Sequence, residues 1–100
     1  MVKALMTHAK VLVRWEAGLH LRPAMRLVKA AQTFRSTILV KCGDKLADAR
    51  SLVSILLLTA TMNTVLDIEV MGDDETAAAQ ALQQIFSIDD DGTPDYQLPA

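Results

Sequence analysis

The chain of 100 residues is 51% hydrophobic and 4% aromatic, which is enough for one small domain with a mainly aliphatic core. Its formal net charge is −2, and its basic residues form no dense run and carry no interleaved aromatic side chains, which argues against nucleic acid as a partner. The single cysteine, Cys42, excludes an internal disulfide and a CxxC metal motif.

The chain begins with a segment that precedes the first predicted strand. Residues 1–8 contain no continuous apolar core, so we interpret them as a leader and not as a signal peptide. Residues 9–15 are predicted to form a strand with one buried face, because every second residue from Ala9 to Trp15 is apolar. Residues 16–18 are the turn that follows it.

This turn leads to His20, Arg22 and Pro23, where a helical pattern begins. A proline in the first turn of a helix has no amide hydrogen to lose and a preset φ, so it marks the helix start. The unpaired amides and the dipole at a helix N-terminus favour an anion. An imidazole at this place, beside a guanidinium, suits a histidine that becomes phosphorylated. The other interpretation is a surface histidine or a weak helix cap.

The middle of the chain is predicted to contain two helices that flank a pair of strands. The first helix covers residues 21–34, where apolar residues recur at helical spacing. Residues 37–42 alternate and form the second strand, Gly43 and Asp44 make a tight turn, and residues 45–49 return as the third strand. Ser51 is then the N-cap of a short helix over residues 52–58.

The remaining residues are predicted to form a loop, a strand, a helix and a tail. Residues 59–63 are a loop in which Asn63 can take a left-handed conformation. Residues 64–71 alternate as the fourth strand, and residues 72–75 form a turn and an acidic N-cap. The third helix has a buried stripe of Ala78, Ala81, Leu82 and Ile85. Residues 87–100 are polar and acidic, and we interpret them as a flexible tail.

The resulting order of elements is βαββαβα, in a domain of residues 9–86. This order predicts an α+β two-layer sandwich, with one sheet and the helices on one of its faces. The longest apolar stretch, residues 52–66, is too short and too often interrupted by polar residues to span a bilayer. We therefore expect a soluble, cytoplasmic chain.

Two runs of residues resemble the HPr family, the histidine phosphocarriers of the bacterial phosphotransferase system. The family's active-site signature is matched by Gly18-Leu19-His20-Leu21-Arg22-Pro23-Ala24. Its regulatory serine segment is matched by Arg50-Ser51-Leu52-Val53-Ser54-Ile55-Leu56, which follows at the expected distance. The similarity covers residues 9–86, and it implies an open-faced sandwich of four antiparallel strands and three helices.

The resemblance implies a phosphocarrier and not an enzyme. Nδ1 of His20 would accept a phosphoryl group from phosphorylated enzyme I and pass it to the A component of a sugar permease. Arg22 would pair with the phosphate, and Pro23 would hold the start of the helix. A monomer without a cofactor, a metal or a membrane partner is expected.

Ser51 has two compatible interpretations. As an N-cap it contributes roughly 1 kcal/mol to its helix. By the resemblance it would also be phosphorylated by HPr kinase/phosphorylase, where the organism has one. A phosphate at a helix N-terminus is electrostatically favourable, so this modification would alter the docking surface without unfolding it.

A docking surface beside His20 is predicted from apolar and basic residues. Helical spacing places Leu52 and Leu56 on one side of the short helix, and with Leu21 and Val53 they could form an apolar patch. The other interpretation assigns these side chains to the core, although Ile55 and Leu58 are better core candidates.

The charges of the chain are unevenly distributed. All ten basic residues lie in residues 1–50 with three acidic ones, whereas residues 51–100 contain nine acidic residues and no basic one. This predicts a basic docking surface around Arg14, Arg22, Arg26 and Lys29, and an acidic tail. Alternatively, the two halves interleave in the fold as an ordinary solvated surface.

Two other functions stay open. One is a regulatory protein of the same fold, controlled by phosphorylation at His20 or Ser51 and binding a transcription factor or a kinase, without sugar transport. The other is a small-molecule-binding α+β domain that matches the signature by chance. The sequence shows no metal-ligand cluster, no glycine-rich nucleotide loop and no Ser-His-Asp set.

Overall fold

The structure is a computed structural model that describes residues 6–88. Its elements follow the predicted order of strand, helix, strand, strand, helix, strand and helix. They are β1 (Thr7–Leu12), α1 (Leu21–Ala31), β2 (Thr37–Cys42), β3 (Lys45–Asp48), α2 (Leu52–Leu57), β4 (Val65–Met71) and α3 (Glu75–Ile85).

The four strands form one antiparallel sheet in the order β1-β4-β2-β3. In β4, the alternating residues Leu66, Ile68 and Val70 are fully buried. Val11 of β1 pairs with Leu66, and Val40 of β2 pairs with Ile68, so the buried side chains of neighbouring strands stand on the same face. A shift of one residue would turn this apolar set to solvent, so the alternation specifies the register.

The three helices cover the apolar face of the sheet. Each helix contributes a large, fully buried aliphatic side chain, which is Leu27 in α1, Ile55 in α2 and Leu82 in α3. These side chains belong to the same core cluster as the buried strand residues. The predicted α+β two-layer sandwich is therefore confirmed.

Strand β1 differs from its prediction at both ends. It begins at Thr7, two residues before the predicted start, because Thr7 and His8 both pair with β4. These two residues, assigned from the sequence to the leader, are part of the sheet. The strand ends at Leu12 and not at residue 15, although Val13 and Trp15 are still buried, as the alternation predicted.

Helix α1 ends at Ala31, three residues before its predicted end. After that residue the backbone tightens, because the amides of Thr33 and Phe34 donate to carbonyls three residues earlier. The hydroxyl of Thr33 also donates to the Ala30 carbonyl, at 2.7 Å. Strand β3 and helix α2 each end one residue before their predicted ends.

The helices are short compared with the thickness of a membrane. The two longest, α1 and α3, have 11 residues each. A helix needs about 20 predominantly apolar residues to cross the hydrocarbon core. No helix within residues 6–88 has the length and apolar character for such a span.

The end of α3 is tied to the turn that precedes His20. The ring of Phe86 packs on that of Trp15 with a centroid distance of 5.2 Å, and Nε1 of Trp15 donates to the Ile88 carbonyl at 2.6 Å. Residues 87 and 88, which the sequence assigned to the tail, therefore stay with the domain. The other tail residues, 89–100, and residues 1–5 of the predicted leader lie outside the described residues.

The carboxylate of Asp74 connects the start of α3 to the segment before β2. Asp74 occupies the N-cap position of α3, but its side chain makes no capping bond. Its oxygens accept hydrogen bonds from the backbone amides of Arg35 and Ser36, at 2.9 and 3.0 Å, and from the Ser36 hydroxyl, at 2.5 Å. The Ser36 hydroxyl bond, followed by the amide bonds, lowers the pKa of Asp74 below its ordinary value.

We expect Asp74→Asn to lower the melting temperature at neutral pH and to flatten its fall in acid. Because the pKa of this carboxyl is lowered by folding, its stabilisation is present above about pH 4 and is lost as pH falls through the folded pKa. Thermal unfolding followed by circular dichroism between about pH 2 and pH 7 measures both effects. The matched control is Asp73→Asn, an exposed neighbour, and an identical pH profile for the two variants would contradict the expectation.

Candidate functional site around His20

The turn before His20 is held in place by backbone contacts that require glycine. Gly18 has a φ of +76°, and a Cβ atom there would lie 2.5 Å from the Ala60 carbonyl oxygen. That oxygen accepts the amide of Leu19 at 2.9 Å, and the Leu19 side chain is buried. The amide of His20 donates to the Gly18 carbonyl at 2.8 Å. The loop from residue 59 to residue 61 thus fixes where α1 begins.

His20 is the N-cap of α1. Its backbone is extended, with φ −88° and ψ −170°, and its carbonyl accepts the amide of Ala24 at 2.9 Å. Its side chain makes no capping hydrogen bond, so it is not the weak cap that the sequence left open. The ring atom Nε2 is buried and has no hydrogen-bond partner among residues 6–88. Nε2 is therefore not accessible from solvent in this conformation.

A shallow groove of about 310 Å³ runs along α1, and we call it the basic groove. It is lined by Arg22, Met25, Arg26 and Lys29, whose spacing of three and four residues places them on one face of the helix. Nη1 of Arg26 is buried and has no hydrogen-bond partner in the described part of the chain. Since α1 contains no acidic residue, this face attracts anions.

Ser51 lies at the start of α2, as predicted. Its extended backbone occupies the N-cap position, and its Oγ accepts the amide of Ser54 at 3.2 Å, which confirms the capping role. The residue before it, Arg50, donates from its side chain to the carbonyl of Phe34, three residues beyond the end of α1. Because His20 and Ser51 are half-buried and not fully buried, a partner protein can reach the starts of both α1 and α2.

The apolar residues proposed for docking fall into two groups. Leu21 and Val53 are 53% and 65% exposed. Leu52 and Leu56 are half-buried and pack against the core cluster, while Ile55 and Leu58 are buried, as predicted.

Sequence reasoning missed two exposed apolar residues on the same helices. Met25 is 47% exposed and Leu57 is 67% exposed. Each stands four residues after an exposed apolar residue, since Met25 follows Leu21 and Leu57 follows Val53, and this spacing was a signal in the sequence. We call these four side chains the apolar patch, which belongs to two helices that pack against each other.

The two oppositely charged halves of the chain interleave on the open face of the sheet. Nζ of Lys10 in β1 lies 2.6 Å from Oδ1 of Asp67 in β4. The hydrogen bond from Lys10 lowers the pKa of Asp67, although both side chains are well exposed and such a pair adds little stability. Oppositely charged residues from the two halves are therefore neighbours on the sheet, whereas the charged residues that line the basic groove of α1 are all basic. Within residues 6–88, no group of three or more His, Cys, Asp or Glu side chains could hold a metal ion.

Comparisons with known proteins agree with this geometry. The sequence profile of the family described as "PTS HPr component phosphorylation site" matches residues 7–87. The chain is similar to the phosphocarrier protein HPr of Haemophilus influenzae, with 45% identity over 65 residues that cover 65% of this chain and 76% of the relative. Among solved structures it is similar to HPr from Bacillus anthracis, with 29% identity, a TM-score of 0.76 and coverage of 80% and 95%. It is also similar to Crh, the catabolite repression HPr of Bacillus subtilis, with 29% identity, a TM-score of 0.60 and coverage of 80% and 95%.

Proposed function

The chain belongs to the HPr family of the phosphotransferase system and is a phosphocarrier and not an enzyme, and from this premise we propose that His20 carries the phosphoryl group. One observation carries the proposal. His20 is the N-cap of α1, its side chain makes no capping bond, and its Nε2 is buried. Nδ1 is then the nucleophile, at a helix end that favours negative charge.

The proposed reaction is an in-line transfer between two histidines. The lone pair of Nδ1 of His20 forms a bond to phosphorus while the bond from phosphorus to the histidine nitrogen of phosphorylated enzyme I breaks. In a second exchange of the same kind, the bond between phosphorus and Nδ1 of His20 breaks while the phosphoryl group bonds to the A component of a sugar permease. Such transfers depend on positioning and charge stabilisation more than on covalent assistance.

Arg22 and Pro23 are proposed to serve the phosphoryl group in different ways. Arg22 lies in the first turn of α1 and is exposed, so its guanidinium can approach phosphate oxygens bound at the helix end. Pro23 is buried in the same turn, where its fixed φ suits the helix start. A carrier must also release its phosphoryl group, and this is possible because a partner protein can reach the start of α1.

We propose that enzyme I and permease A components dock on the apolar patch and the basic groove together. The patch supplies apolar area, and the groove, with Arg26 at its centre, supplies charge that orients an acidic partner. Leu52 and Leu56, which are half-buried and pack against the core, would contribute their remaining exposed area to the same docking surface.

Ser51 is proposed as a regulatory phosphorylation site for HPr kinase/phosphorylase. Its hydroxyl is at the N-terminus of α2, where an added phosphate would lie close to the Ser54 amide that now donates to the hydroxyl. A phosphate there would place negative charge between α2 and its partners without removing a core contact.

The similarity to Crh, whose description names catabolite repression, favours one alternative. In it, the chain is a regulatory HPr-like protein, controlled by phosphorylation at His20 or Ser51, and no sugar permease receives its phosphoryl group.

A phosphoryl chase separates the two functions. We expect incubation with enzyme I and phosphoenolpyruvate to add one acid-labile phosphate, as measured by intact-mass spectrometry. Addition of a permease A component is expected to remove it. Retention of the phosphate in the presence of every A component of the organism would favour the regulatory function. No phosphate, with the cognate enzyme I active on a control carrier, would overturn the proposal.

A further inference from the structure

The basic groove carries positive charge that suits an anionic ligand. Arg22, Arg26 and Lys29 line it, and α1 itself provides no carboxylate. A ligand with several carboxylate or phosphate oxygens would complement this charge.

The sequence contains an acidic segment of matching charge. Residues 89–95 include Asp89, Asp90, Asp91 and Asp95 and no basic residue. The segment follows Ile88, whose carbonyl accepts a hydrogen bond from Trp15, in the turn that leads to His20. Ile88, the last described residue before the segment, is therefore held beside the residues that lead to α1.

The lengths of the segment and the groove are compatible. Seven extended residues span at most about 25 Å. The helix rises about 14 Å from His20 to Lys29 at 1.5 Å per residue. Helix α3, which precedes the segment in the chain, packs against α1.

We propose that the acidic residues 89–95 bind the basic groove of their own chain and compete there with acidic phosphoryl partners. The four carboxylates of the segment complement the positive charge of the groove. The intrachain binding is independent of phosphoryl transfer, whereas the competition depends on the proposed function.

The test compares two full-length variants of equal net charge. In the first, Asp89→Asn, Asp90→Asn and Asp91→Asn neutralise the segment. In the control, Asp44→Asn, Glu69→Gln and Asp73→Asn neutralise three carboxylates outside α1. Amide chemical shifts of α1 and the Nε–H shift of Arg26 are measured by NMR. We expect the first variant to change them and the control to leave them unchanged.

Salt and dilution complete the test. Raising NaCl from about 20 to about 500 mM should move the wild-type shifts toward those of the first variant, since salt screens exposed charges. At low salt, the KM of enzyme I for the chain should be about threefold or more lower for the first variant than for the wild type. The proposed binding is overturned if the α1 shifts of the wild type equal those of the first variant, or if the control variant changes them as much as the first variant does. Shifts that depend on protein concentration overturn the intrachain assignment in favour of a second copy. Confirmed shifts with an unchanged KM overturn the competition alone.

Discussion

His20→Ala is expected to lose acid-labile phosphorylation by enzyme I and phosphoenolpyruvate, to less than about a thousandth of the wild-type rate. The substitution removes the nucleophile, and no other group in the first turn of α1 replaces an imidazole nitrogen. The fold should remain, because the His20 side chain makes no capping bond and its backbone bonds are retained. Rapid-quench phosphorylation with radiolabelled phosphoenolpyruvate gives the rate, and thermal unfolding checks the fold.

His8→Ala is the matched control for this loss. His8 is the other histidine of the chain, and it is an exposed residue of β1 that pairs with Glu69. Phosphorylation of this variant should equal that of the wild type. Acid-labile phosphate that persists in His20→Ala and disappears in His8→Ala would move the carrier site to β1. The start of α1 would then play no part in phosphoryl transfer.

Gly18→Ala is expected to lower the free energy of unfolding by about 2–4 kcal/mol. A left-handed backbone costs a residue with a Cβ atom about 1–2 kcal/mol, and Gly18 has a φ of +76°. The new Cβ would also lie 2.5 Å from the Ala60 carbonyl oxygen, which endangers the bond from Leu19 to that oxygen. Because this bond positions His20, the phosphorylation rate should fall as well. Urea unfolding and rapid-quench phosphorylation measure the two effects.

Gly43→Ala separates the steric contact from the backbone conformation. Gly43 has a φ of +64°, and a Cβ atom there would meet nothing within 4 Å. The expected loss is therefore the conformational part alone, about 1–2 kcal/mol, with an unchanged phosphorylation rate. If the two alanine variants lost equal stability and both transferred phosphate normally, the contact with Ala60 would not position His20.

The apolar patch was only partly predictable from the sequence. Every residue of α2 except Ser54 is apolar, so helical spacing indicated Ile55 and Leu58 as buried but did not identify Leu57 as exposed. Leu52 and Leu56, which the sequence placed in the docking surface, are half-buried and pack against the core, and Val53, which it also placed there, is exposed. In α1 the polar residues Arg22, Arg26 and Lys29 mark the outer side, and Leu27 and Val28 are buried on the other.

The backbone conformations of the loops were also only partly predictable from the sequence. Asn63 has a φ of 75°, as its side chain permits, and this left-handed conformation was predicted. Thr59 has a φ of 47°, which is uncommon for a β-branched residue and which no local preference indicated. The neighbouring Ala60 must present its carbonyl to Leu19, and this distant contact accompanies the conformation. Likewise, the carboxylate of Asp74 bonds to Arg35 and Ser36, although the sequence suggested only a helix cap.

The sequence by itself determined the order of the elements, the buried sides of β1 and β4 and the helix start beside Pro23. These follow from periodicity and from the covalent geometry of proline, which act over a few neighbouring residues. The tertiary structure alone decided the ends of β1, the exposure of Leu57 in α2, the partners of Asp74 and the burial of Nε2 of His20. Each of these depends on atoms that are distant in the chain and adjacent in space, and no local pattern encodes such neighbours.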